Sequence, residues 1–459
     1  MNYSAYSIHK LREGLKKKDF PSEDIVKDCL DRIKISKLNA FITICETEAI
    51  KKAKEADKKI KDGVDLPLLG IPISAKDIYL TRNIRTTAAS RVLNRYIPQY
   101  SATVIERLEK AGAIIIGKTN CDAWAHGSSG ENSDYGPTEN PYLKGYVPGG
   151  SSSGSAVSVA ANMCLVSMGT DTGGSIRLPA SFCNVVGLKP TYGRVSRYGV
   201  ISMASSLDSI GHFTKNVDDS ALVLSITAGK DKNDATTPEI EVDNYKNYLT
   251  KDIKEVKIGL PREYFSDGLD KRVKEKIENE VKILEAKGAR IEQISLPNTE
   301  YGITCYYIVQ PAEVSSNLAR YDGLRYGNDR AHFGNEAKRR IMLGSYVLSS
   351  GYYDAYYKKA MQVRTLIKKD FDEAFKKVDV IIAPVSPTLP WKIGEKTQDP
   401  LSMYLSDIYT VNVNLAGIPG LSVPIGLIEG LPVGLQILGP HFSEGKLFQV
   451  GKAIERPKI

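Results

Sequence analysis

Val147-Pro148-Gly149-Gly150-Ser151-Ser152-Ser153-Gly154-Ser155, an Ala/Val-rich run, and then Gly169-Thr170-Asp171-Thr172-Gly173-Gly174-Ser175-Ile176-Arg177 form the stretch from which this chain is read. The run between the two loops reads as a short helix, followed by a strand through Cys164-Leu165-Val166-Ser167-Met168. Side chains this small cannot build a core. Glycine pairs let backbone approach a ligand closely and turn sharply, and several serines are presented at one place. An acyl-transfer site needs a nucleophile and N–H donors aimed at a developing oxyanion.

Two other readings of the loops are weaker. Gly/Ser runs often serve as flexible linkers, but the second loop follows a strand-like run and so sits at a strand end. A phosphate-cradling loop needs Gly-Lys-Ser/Thr or the dinucleotide glycine spacing. Here Gly154 is followed by Ser155 and Ala156. The five histidines, His9, His126, His212, His332 and His441, lie in no nucleophile-elbow context and stay unassigned. The other candidate base is Lys76, which ends the apolar run Leu69-Gly70-Ile71-Pro72-Ile73-Ser74-Ala75. Desolvation there would favour its neutral amine, although most lysines after such runs only mark a strand leaving the core.

Outward from these loops, strands and helices alternate. Amphipathic helices are expected over 4–18 and 22–35, the second with Ser22 as N-cap. A strand is expected over 39–45, then a helix over 46–62 with Ala49, Ala53, Ala56 and Ile60 inward and Gly63 as its stop. Further helices are expected over 102–111, 216–229, 270–287, 352–377 and 445–454. Further strands are expected over 113–117, 257–260, 289–296, 378–384, 421–425 and 431–438. The alternation predicts an α/β fold, a central mixed β-sheet covered by helices on both faces. No repeat or linker divides it, so 1–459 is expected to be one large domain.

The chain has 459 residues, 42% hydrophobic and 25% charged, with a net charge of +8 from 62 basic and 54 acidic residues. Such a mild excess, much of it on solvated helix faces, does not itself predict nucleic-acid binding. Its six cysteines form no C-x-x-C pair or zinc spacing, which suits a reducing compartment, and no metal is expected. Neither a signal peptide nor an apolar span is evident, so the expectation is a cytoplasmic protein.

Three motifs taken together resemble the amidase signature family: Gly70-Ile71-Pro72-Ile73-Ser74-Ala75-Lys76-Asp77, Gly149 to Ser155, and Gly169 to Arg177. The resemblance implies the amidase-signature fold and a Ser–cis-Ser–Lys triad. Ser175 would be the nucleophile, Ser151 the bridging serine after a cis peptide bond, and Lys76 the base. Backbone N–H groups around Thr172, Gly173, Gly174 and Ser175 would hold the oxyanion. Ser128 and Ser129, in His126-Gly127-Ser128-Ser129-Gly130, would line the pocket rim, and His126 stands where an apolar residue is expected.

Within the family the likeness is to the amidase subunits of tRNA-dependent amidotransferases. It rests on stretches such as Gly187-Leu188-Lys189-Pro190-Thr191-Tyr192-Gly193-Arg194-Val195-Ser196-Arg197 and Leu348-Ser349-Ser350-Gly351-Tyr352-Tyr353-Asp354. That likeness implies a glutaminase, with its catalytic signature at about 70–215 and a glutamine-recognition and partner-facing region at about 300–425. Arg340 would hold the glutamine carboxylate and Asp407 the ammonium, with Tyr306 or its neighbour Tyr307 beside them. Without the resemblance, Arg339 and Arg340 fit a solvated helix face, Asp407 a helix cap, and the tyrosines core. The implied partners are the B and C subunits of a heterotrimer, which also carries misacylated tRNA. ATP and magnesium would be used by a partner subunit, with no cofactor on this chain. Departures from the pattern are Ser153, Ile78-Tyr79, and shortening at 327–338 and after His441. A stand-alone amidase of small amides and a non-catalytic scaffold are the other readings.

Overall fold

The computed structural model describes residues 3–325 and 327–456. Its strands, in chain order, are β1 (Phe41–Ile44), β2 (Pro72–Lys76), β3 (Ile114–Thr119), β4 (Val166–Asp171), β5 (Val186–Lys189), β6 (Ser209–Thr214), β7 (Lys257–Pro261), β8 (Arg290–Ile294), β9 (Val380–Pro384), β10 (Gly420–Ile428) and β11 (Leu431–Leu438). They form an 11-stranded sheet in the order β1-β3-β2-β4-β6-β5-β10-β11-β9-β7-β8. The sheet is mixed. β2 runs parallel to β3 and β4, and β7 parallel to β8 and β9, while the pairings between β4 and β9 are antiparallel. Every residue of β2, β3, β4, β5, β6, β9 and β11 is buried. Strands buried throughout are covered on both faces, as the α/β expectation requires.

Most elements fall within a few residues of their expected positions, and the exceptions have local causes. The first helix is Ile8–Lys17, preceded by a 3-10 turn at Tyr3–Ala5. Ser22 is not the N-cap of its helix, which starts at Ser22 itself after Pro21. The Ser22 hydroxyl instead donates to the Gly70 carbonyl at 2.8 Å. Asp57, from the helix Glu46–Lys61, supplies the cap by accepting the Ser22 and Glu23 N–H groups at 2.6 and 3.2 Å. A helix end can be capped by another element as well as by its own neighbour. In Glu46–Lys61 the expected alanines are buried and Ile60 is half-buried.

The stretch expected as a single helix over 352–377 splits into a π-helical turn at Tyr353–Lys358 and an α-helix at Lys359–Ala374. The helices Gly302–Leu318 and Asn335–Val347, which pack on each other, have no counterpart among the expected elements. Pro311 inside the first and the polar face of the second hide the helical pattern.

Candidate active site

The site lies at the carboxyl ends of the parallel strands β2 and β4, where open α/β sheets offer a crevice. The register pairs Ala75 of β2 with Met168 of β4. Lys76 thereby comes beside Gly169 and Thr170, and the loop after β4 carries Ser175 on towards the helix Arg177–Phe182. The first loop closes over this end. Ser152 donates its N–H to the Ser175 carbonyl at 3.2 Å, and its hydroxyl donates to the Thr170 carbonyl at 3.0 Å.

Lys76 is fully buried. Its Nζ donates to the hydroxyls of Ser151, Ser152 and Thr170 at 2.7, 3.0 and 3.0 Å. Its first neighbours are therefore neutral, and burial pushes its pKa down to about 8. An amine poised there is partly unprotonated near neutral pH, as a general base requires. The peptide bond Gly150–Ser151 is cis. Gly150 has no room for a side chain, because a Cβ would run into Asp122 Oδ2. Asp122 is buried beneath the turn and accepts the N–H groups of Gly130 and Asn132 at 3.1 and 2.8 Å. Burial pushes its carboxyl up to about 7.

Ser175 is 9% exposed and thus reaches the surface of the site. The loop around it is braced by Asp171. Burial alone would raise the Asp171 carboxyl, but the Arg177 guanidinium overrides this and holds it near 2. Arg177 Nε and Nη2 donate to the two Asp171 oxygens at 3.0 Å each. The N–H groups of Gly174, Ile176 and Arg177 turn inward to the same carboxylate. Gly174, expected among the oxyanion donors, is thus already committed to Asp171. The N–H groups of Thr172, Gly173 and Ser175 have no acceptor among the described residues and stay available.

A cleft of about 360 Å³ lies beside this centre, lined by Ser128, Ser129, Tyr307, Arg340 and Tyr404 among others. Ser128 donates to Asp407 at 2.6 Å, and burial pushes the Asp407 carboxyl up to about 7. Arg340 lies over the rings of Tyr307 and Tyr404, 5.0 and 5.5 Å from their centroids. The cleft joins the serine loop through one chain of contacts. The Ser128 carbonyl accepts the Gly150 N–H at 2.8 Å, and Thr410, on the turn after Asp407, donates to the Gly173 carbonyl at 2.6 Å.

Ser128, Ser129 and Arg340 line this cleft, and Asp407 meets it through the Ser128 hydroxyl. The tyrosines divide. Tyr306 sits over the oxyanion loop, where a Cβ on Gly173 would come 2.8 Å from its hydroxyl oxygen. Tyr307 lines the cleft, with its hydroxyl 3.5 Å from Asp407. Sequence reasoning missed Ser152, Thr170, Asp122 and Glu336, the last of which accepts from Arg340 Nε at 2.8 Å. Strand register could have indicated Thr170, which lies just beyond the β4 residues paired with β2 and so faces the end of that strand. The departures are absorbed locally. Ser153 donates to Thr138, and Tyr79 donates to the Gly169 carbonyl at 2.6 Å. No cluster of metal-ligating side chains occurs among the described residues, and no helix there is long and apolar enough to cross a membrane.

This topology, with a buried lysine on a cis-linked serine and a second serine in a loop with unpaired N–H groups, is the arrangement that the resemblance to the amidase signature family implies. The family model described as Amidase matches residues 24–448, and the chain belongs to that family. Among its relatives, the A subunit of glutamyl-tRNA(Gln) amidotransferase from Thermoanaerobacter pseudethanolicus is 53% identical, over 99% of this chain and 97% of that one. The crystal structure of the corresponding A subunit from Thermotoga maritima superposes with a TM-score of 0.84 at 40% identity, covering 99% of this chain and 95% of that one. The peptide amidase of Stenotrophomonas maltophilia superposes with a TM-score of 0.86 at 32% identity, covering 98% and 96%.

Proposed function

We propose that this chain is the amidase subunit of a tRNA-dependent amidotransferase, a glutaminase that releases ammonia for converting Glu-tRNA(Gln) to Gln-tRNA(Gln) or Asp-tRNA(Asn) to Asn-tRNA(Asn). The observation that carries this reading is full-length kinship, at about half identity, with proteins bearing that subunit's name. The cleft supports it. The Arg340 guanidinium in the cleft and the Asp407 carboxyl just behind Ser128 match the two charged ends of a free amino acid, and neither is needed to hold a simple amide.

The site supports the following chemistry. Neutral Lys76 takes the Ser175 proton through the Ser151 hydroxyl. Ser175 Oγ attacks the carboxamide carbon of glutamine, and the charge moves onto the carbonyl oxygen. The N–H groups of Thr172, Gly173 and Ser175 stabilise that oxyanion; one such donor is typically worth about 2.7–4 kcal/mol. The intermediate collapses as the proton returns to the leaving nitrogen. Ammonia departs and a glutamyl ester remains on Ser175. Water activated by the same relay hydrolyses the ester to glutamate. Asp407 holds the substrate ammonium and Arg340 its carboxylate.

Amidation itself takes place elsewhere. B and C subunits complete a heterotrimer, and the B subunit uses ATP and magnesium to activate the misacylated tRNA. Ammonia release from L-glutamine, measured for the chain alone and for the chain with partner subunits and charged tRNA, tests the reading with Ser175→Ala as blank. Release that depends on partners and is lost in the variant is expected. Release by the chain alone from many simple amides, with glutamine a poor substrate, would make it a stand-alone amidase. Silence in every arm would leave a scaffold.

A further inference from the structure

His126 lines the cleft and is fully buried, yet neither ring nitrogen has a hydrogen-bond partner among the described residues. Its backbone is held firmly. The N–H donates to the Ala123 carbonyl at 3.0 Å, and its carbonyl accepts from Asn132 Nδ2 at 2.7 Å. Each buried polar atom left without a partner costs about 1–3 kcal/mol, so a histidine that only fills core normally finds one. His212, also buried, leaves Nδ1 unpaired but does pair Nε2 with Ser220 at 2.8 Å, whereas His126 pairs neither nitrogen. His126 lies instead among other unpaired atoms: Glu131 Oε2 lines the same cleft, and Gln310 Nε2 belongs to the residue that holds Arg340.

Arg340 explains what is lacking. Its Nε donates to Glu336 at 2.8 Å and its Nη1 to Gln310 at 2.7 Å. Two of its three nitrogens are engaged, so it meets a ligand mainly through Nη2. A carboxylate held that way lacks the second parallel donor of a bidentate pair. Burial, reinforced by the Arg340 charge, holds the His126 imidazole well below its usual pKa. A neutral imidazole carries one N–H donor and one acceptor.

We propose that His126 is a substrate-binding residue, its imidazole N–H donating to the ligand carboxylate beside Arg340. This rests on the glutaminase reading. It makes the site selective for amides that carry an α-carboxylate, through a residue outside the triad.

The test compares the parent with His126→Met and His126→Asn, each in the full chain assembled with its partners. Two substrates are used: L-glutamine, and its analogue lacking the α-carboxylate, the amide of γ-aminobutyrate. His126→Met is expected to raise KM for L-glutamine about tenfold, the loss of one hydrogen bond to a charged group. kcat should stay within about threefold. His126→Asn, which keeps an N–H, is expected to recover most of the loss. Neither variant should change KM for the analogue. An unchanged KM for L-glutamine in His126→Met, or equal losses on both substrates, would overturn the assignment. A parent that leaves L-glutamine untouched overturns the glutaminase reading first, and the histidine's role with it.

Discussion

In the proposed mechanism Lys76 serves as the base, and three hydroxyls, with no carboxylate in direct contact, surround its buried amine. Its pKa of about 8 sets a pH dependence whose sign can be worked out. The reaction needs the neutral amine, so kcat/KM for L-glutamine should rise with pH and level off above about 8. Asp407 must be ionised to hold the substrate ammonium, and its carboxyl at about 7 adds a second, lower limb. The profile should therefore steepen below about pH 7. A rate that falls between about pH 7 and about pH 8.5 would rule out this assignment. Thr170→Val removes one acceptor that favours the charged amine, so it should shift the upper limb to lower pH. An upper limb that stays in place would mean that the Thr170 hydroxyl does not tune the base.

At the scale of elements, the serine loop is held by what lies beneath it. Gly150→Ala would push a methyl group into Asp122, and ammonia release should fall by at least about a hundredfold, since misplacing a reacting group by an ångström costs that much. Circular dichroism should still report a folded protein. The cap contributed by Asp57 separates stability from chemistry. Asp57→Ala should cost about 1 kcal/mol in urea unfolding, while ammonia release from L-glutamine stays at the parental rate. A loss of activity in that variant would tie the first helices to catalysis, which nothing in their packing requires.

On the scale of the whole molecule, Arg177 bolts the two halves of the sheet together. It grips Asp171 at the end of β4, and its Nη1 and Nη2 reach Gln436 on β11, Asn414 and the Thr410 carbonyl at 2.9, 2.7 and 3.0 Å. Breaking a buried ion pair from one side leaves an uncompensated charge. Arg177→Met should therefore cost about 3–5 kcal/mol in denaturant unfolding. The linkage has a definite sign. Asp171 is held near 2 against an ordinary 3.8, so its contribution is complete above about pH 4 and fades as pH falls through 2. Without Arg177 the acid-unfolding midpoint should move to higher pH. An unmoved midpoint would show that the N–H groups of the loop, and not the guanidinium, hold the carboxylate.

By itself the sequence determined the α/β class, most of the strand positions, and the three motifs that carry Lys76, Ser151 and Ser175. These could be read because glycine and serine runs, buried β-branched strands and helical spacing are local patterns. Only the tertiary structure decided which groups meet. Strand register placed Thr170, and the loop closing over the strand ends placed Ser152, on the Lys76 amine, and the Asp171 carboxylate took the N–H of Gly174, which was expected among the oxyanion donors. The helices Gly302–Leu318 and Asn335–Val347 brought Tyr307 and Arg340 against the Ser128 loop, which lies far earlier in the chain. Two unpaired nitrogens on His126 have no signature in sequence, because a missing partner shows only when every neighbour has been packed around it.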